Sequence, residues 1–178
     1  MYSKLLSTLL IAFSTVTISS QAALLITAVF DGPLSGGTPK GVELYATDDI
    51  ADLSAYGIGG ANNGGGTDGV EFILSGSALS GDYIYVVSTG GEDEFQTFFE
   101  LDPAAASYPL TFTTSAMFIN GDDAIELFDS TESVIDTYGD INVDGNGEDW
   151  EYLDGWAYRS SGSAGDYTVS DWTYSGAN

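Results

Sequence analysis

Apolar residues in this chain cluster in short stretches separated by Gly, Asn and Asp. Stretches of this length, bounded by turn formers, predict strands rather than helices. The first covers residues 24–29, and Gly32-Pro33 stops it. Val42-Glu43-Leu44-Tyr45 alternates apolar and polar. Tyr56-Gly57-Ile58 precedes a Gly/Asn-rich loop over 59–69, and a strand over 70–74 follows it. Residues 83–87 are the most apolar run and predict a central strand. Met117-Phe118-Ile119 and residues 124–128 flank Asn120-Gly121, whose tolerance of positive φ predicts a two-residue hairpin turn. Residues 134–138, 156–159 and 171–174 complete the strands. One short helix is predicted over 94–101, where Phe95, Phe98 and Phe99 share a face and Pro103 ends it. The pattern predicts an all-β chain: an immunoglobulin-like β-sandwich of about nine or ten short strands, with at most one short helix.

The N-terminus carries a different signal. Lys4 precedes an apolar run over 5–18, and Ser20-Gln21-Ala22 places small residues where a signal peptidase cuts. Residues 1–22 therefore read as an export signal, and 23–178 as one domain. Nothing else in the sequence is long and apolar enough to span a membrane, so no span is expected after cleavage. The expected location is secreted and extracellular, or periplasmic. The domain has no Cys, so packing or metal must do the work of disulfides.

The formal charge is −24, and removal of Lys4 with the signal makes it −25. Such a surface repels phosphate backbones, so no direct nucleic-acid binding is expected. It repels anionic lipid and attracts divalent cations. Hydrophobic residues at 43% and aromatics at 13% are too abundant for a disordered acidic tail.

One stretch concentrates ligand chemistry. Residues 140–151 read Asp-Ile-Asn-Val-Asp-Gly-Asn-Gly-Glu-Asp-Trp-Glu. Asp140, Asn142 and Asp144 alternate, Gly145 stands sixth, and Glu151 stands twelfth. That is the oxygen-donor spacing of a Ca²⁺ loop, with the Asn146 carbonyl at the seventh position. The flanks are β-branched and aromatic, so the ion would rivet a loop between strands rather than open a helix pair.

With no His and no Cys, the chain can build no Ser–His or Cys–His nucleophile pair and no imidazole or thiolate metal site. The adjacent pairs Asp122/Asp123 and Glu148/Asp149 would point to opposite strand faces, so no acid/base pair can be placed. No catalytic residue is expected. Tyr152, Asp154, Trp156 and Tyr158 alternate and would share one strand face, with Trp150 and Trp172 near. Core packing is the favoured reading, since the C-terminal half otherwise lacks large residues. A ligand platform of Trp150, Trp156 and Tyr158 beside the Ca²⁺ loop is the alternative. Arg159 should pair with a carboxylate or stack on a ring.

Several segments, in order, resemble bacterial lamin-tail domains. They are Lys40-Gly41-Val42-Glu43-Leu44-Tyr45 and Asp52-Leu53-Ser54-Ala55-Tyr56, then Leu79-Ser80-Gly81-Asp82-Tyr83-Ile84-Tyr85-Val86-Val87. Asn120-Gly121-Asp122-Asp123-Ala124-Ile125-Glu126-Leu127 and Val134-Ile135-Asp136-Thr137-Tyr138-Gly139 follow. The resemblance implies an immunoglobulin-like sandwich that binds or tethers, often beside an extracellular nuclease. The expected function is a secreted, non-catalytic binding or surface-interaction module with a structural Ca²⁺ loop. Its partner would be an extracellular ligand or surface polymer of unknown identity. A carbohydrate-binding module using Ca²⁺ and aromatics is the alternative. A secreted hydrolase or a detached accessory domain of a nuclease stands behind it.

Overall fold

A computed structural model describes residues 22–175. The export-signal reading concerns residues 1–22, of which 1–21 lie outside the described residues. Among the described residues, ten strands form two sheets, with a single α-helix, and the fold is an all-β sandwich. The strands are β1 (Leu24–Leu34), β2 (Thr38–Ala46), β3 (Gly57–Ala61), β4 (Phe72–Ile73) and β5 (Tyr83–Ser88). The helix α1 (Glu92–Phe98) comes next. It is followed by β6 (Leu110–Thr114), β7 (Ala124–Phe128), β8 (Val134–Tyr138), β9 (Trp156–Arg159) and β10 (Trp172–Tyr174). The larger sheet runs β10-β9-β1-β2-β5-β6, and the smaller runs β4-β3-β7-β8. All neighbours are antiparallel except β5 and β6. No helix among the described residues is long and apolar enough to cross a membrane.

The inward residues of both sheets make the core. Leu24, Ile26, Val42, Leu44, Ile84 and Val86 face Ile58, Ile125, Leu127 and Tyr138 with almost no exposure. Polar partners alternate outward along β2, as Val42-Glu43-Leu44-Tyr45 implies. The run in β5 does not alternate because part of it is covered twice. Val86 faces the core, while Val87 packs with Phe30 and Phe95 in a second cluster under α1. Double coverage removes the need for a polar face. β5 is nevertheless not central: β1 and β2 hold the middle of the sheet.

Several sequence expectations are corrected. β1 continues through Gly32-Pro33 to Leu34, turning at Gly36 and Gly37, both at positive φ. Residues 117–119 are not a strand, because Ser115–Met117 close a 3₁₀ turn whose Ala116 N–H donates to Thr114 Oγ1. β7 pairs with β3 and β8 instead. Asp123, buried, accepts from Asn120 N at 3.0 Å and Asn63 N at 2.9 Å. It thereby folds the Asn120-Gly121 segment back on itself. The strand over 110–114 was not expected at all.

Candidate functional site

Residues 140–151 leave the end of β8 and form a loop tied largely by its own carboxylates. Asp140 Oδ1 accepts from Asn142 N at 2.9 Å, and Asp144 Oδ1 from Asn146 N at 3.0 Å. Glu151 Oε2 accepts from Gly147 N at 3.1 Å. Asp and Asn favour such local turns because their short side chains reach the backbone two residues on. The loop is anchored at Gly145 N, which donates to Asp122 O, and at Tyr152 N, which donates to Gly121 O. Gly145 is required for space rather than for the turn: a Cβ there would lie 2.6 Å from the Trp150 ring. Gly147, at φ 82°, supplies the left-handed residue.

The donor types suit a hard dication, and each of the three carboxylates spends only one oxygen on these backbone bonds. Among the described residues, however, no group of three or more acidic side chains is gathered to hold a metal ion. Asp144 and Glu151 lie close enough to Asp122 to help raise its pKa, after burial and Asp123. Asp122 Oδ1 is buried without a hydrogen-bond partner. Asp140 instead borders a shallow depression with Gly139, Ile141 and Tyr167.

The aromatic residues divide into two sets. Trp150 is 5% exposed and sets its ring edge-on to Tyr138, so its face is not offered to a ligand. Tyr152 and Trp172 are core residues too. Trp156 and Tyr158 are the opposite case, exposed at 43% and 44%. The expected continuous face from Tyr152 to Tyr158 is broken at Asp154, which has φ 49°, and β9 begins only at Trp156.

Trp156 and Tyr158 form one wall of a groove of about 570 Å³ on the outer face of the larger sheet. The register builds it. Tyr158, Ala28, Glu43 and Tyr85 are successive cross-strand partners on β9, β1, β2 and β5. Trp156 pairs with Phe30. The other wall is α1 and its end, where Phe98 and Phe99 are 45% and 44% exposed. The helix is held by Phe95, buried against Phe30 and Tyr85. Gly41 lets the Phe30 ring lie across β2, since a Cβ would come within 2.8 Å of it. Pro33 and Pro39 also line it.

The polar groups in the groove are engaged. Glu43 accepts from Tyr85 Oη at 2.6 Å and from Thr27 Oγ1 at 2.8 Å. Burial and that carboxylate push the Tyr85 phenol well above its ordinary range. Ser175 Oγ accepts from Trp156 N at 2.9 Å. Phe98, Phe99, Glu43 and Tyr85 were not anticipated as site residues. The available signal was a three-Phe helix too short to bury all three rings. Compared with known proteins, the chain matches no family model, no curated protein and no solved structure.

Proposed function

We propose that this chain is an exported, non-catalytic binding module of the lamin-tail type, and that the groove between α1 and β9 is its ligand face. The observation that carries the reading is four large aromatic side chains left in water around one apolar groove. Burial of apolar surface is favourable by about 25 cal/mol per Å². A contiguous patch of this kind marks an interaction site, whereas scattered exposed rings do not. The groove volume is that of a ligand site, mostly apolar with few polar groups. A hydrolase would need two carboxylates free to act on a substrate in a cleft, and of Glu43 and Asp154, which line this one, Glu43 is committed to the fold. Glu43 already bonds Tyr85 and Thr27 through its two oxygens. The lamin-tail assignment is supported by the order of its segments, whose residues occupy joints of the fold. Leu53, for example, is buried behind an Asp52 that caps its own turn.

Calcium on the 140–151 loop belongs to the same reading. Its ligands would be Asp140, Asn142, Asp144, Glu151 and the Asn146 carbonyl. The ion would neutralise charges that repel one another and supply no chemistry to a substrate. The loop's donor spacing supports it, as does the orphaned Asp122 oxygen beside Asp144 and Glu151.

The ligand face is tested by acrylamide quenching. Of the three Trp, Trp150 and Trp172 are 5% exposed, so quenching reports on Trp156. A ligand seated in the groove should lower the quenching, and Trp156→Phe should abolish the response. Binding that leaves quenching unchanged puts the ligand elsewhere and removes the groove from the reading.

A further inference from the structure

We infer that the groove between α1 and β9 receives a basic, apolar peptide segment of a partner protein; this rests on the groove being the ligand face. The walls decide first against a sugar. The Trp156 and Tyr158 rings stack on each other, with centroids 5.3 Å apart and planes 26° apart. Each spends one face on the other, so together they form a ridge and not the coplanar shelf on which a sugar ring would lie. The groups that would read sugar hydroxyls are engaged inside the protein: Glu43 with Tyr85 and Thr27, and Ser175 with the Trp156 backbone. What the groove offers is apolar wall, proline and ring edges. Aromatic-lined grooves are suited to extended peptide.

Charge then selects the sign of the occupant. Glu43 and Asp154 lie in the groove lining. The helix that forms the far wall opens with Glu92, Asp93 and Glu94, and Glu100 and Asp102 follow it. The described cationic side chains are Lys40 and Arg159, and each is tied in an ion pair with little exposure. Among the described residues, the field over this face is therefore negative, with both cations already paired. An anionic segment is repelled, and a basic one is drawn in and oriented before contact. Arg suits the site doubly, because its guanidinium also stacks on aromatic faces.

The test compares short capped peptides: one alternating Leu and Arg, its Leu–Glu and Gln–Arg counterparts, and a cello-oligosaccharide. Binding is followed by Trp156 fluorescence and by calorimetry. The Leu–Arg peptide should bind, more weakly as salt rises. Trp156→Ala (by calorimetry) and Phe99→Ala should each weaken it by about thirtyfold, as loss of a central aromatic anchor does. Both side chains are substantially exposed, and Tyr158→Ala provides a third variant that retains every charge. Equal binding of the Gln–Arg peptide, or Leu–Arg binding unaffected by all three variants, means a diffuse acidic field and overturns the inference. Equal binding of the Leu–Glu peptide overturns it as well. If only the oligosaccharide protects Trp156, the occupant is wrong while the ligand face stands. If none of the probes binds, the inference falls, and the ligand face is then judged by the quenching test alone.

Discussion

Arg159 shows what one side chain does here. Its Nη2 donates to both oxygens of Asp136 at 2.8 Å, its Nε to Ile26 O, and its Nη1 to Ser163 O. The guanidinium also lies 4.7 Å from the centre of the Trp172 ring. Both sequence expectations for Arg159, a carboxylate partner and an aromatic one, are met at once. Asp136 is fully buried on β8 of the smaller sheet, and Arg159 stands on β9 of the larger, so the pair stitches the sandwich across its layers. Burial pushes the Asp136 carboxyl up, and Arg159 with the Ile26 and Gly165 N–H groups pulls it back. Arg159→Met leaves that carboxylate buried and uncompensated, which should cost about 3–5 kcal/mol. The double variant Asp136→Leu/Arg159→Met should recover only part of the loss, because it removes the buried charge but leaves the Ile26 and Gly165 N–H groups without their acceptor. Urea unfolding of the parent and the two variants measures both; a single-variant cost under about 1 kcal/mol, typical of an exposed pair, would contradict a buried role.

At the scale of elements, the 140–151 loop and α1 each pack through one buried aromatic residue. Phe95 fixes a helix too short to persist alone, and Trp150 fills the space beneath Gly139 and Gly145. At tenfold excess over a dissociation constant of about 10⁻⁴–10⁻³ M, Ca²⁺ should add roughly 1.4 kcal/mol of stability. Asp144→Ala should lose that response and keep the fold. Thermal melts in chelator and in millimolar Ca²⁺ decide it. An unchanged midpoint in the parent chain means that the loop's own backbone bonds suffice. Elements were legible where pattern and packing agreed, as at Val42-Glu43-Leu44-Tyr45. They were not legible at 110–114, whose parallel partner β5 is chosen by a long connection rather than by a turn.

For the molecule as a whole, the buried and half-buried tyrosines set the alkaline limit. Burial, with nearby carboxylates or phenols, raises Tyr85, Tyr138, Tyr152 and Tyr167 well above the ordinary value of 10.0. The unfolded chain would release those protons near 10.0, while the fold retains them. Their stabilising contribution is therefore complete below that value and is lost as pH rises above it. The urea midpoint should fall steeply there, and the phenolate absorbance contributed by these four residues should rise in one step with unfolding. Gradual titration of these residues in a still-folded protein would contradict the assignment. Near neutrality no imidazole or thiol is present to titrate.

By itself the sequence determined the layer architecture and the negative surface, because these follow from local period and from composition, whereas the turns at Gly32-Pro33 and Asn120-Gly121 were set by the packing around them. It also marked Trp156 and Tyr158 as candidate ligand residues, but it could not separate them from Trp150. Tertiary structure decided that separation. Exposure depends on which layer covers a strand, and the turn at Asp154 puts Trp156 outside while Tyr152 stays inside. It also placed α1 across the strands from β9, because a groove between distant segments exists only once strand register and helix docking are fixed.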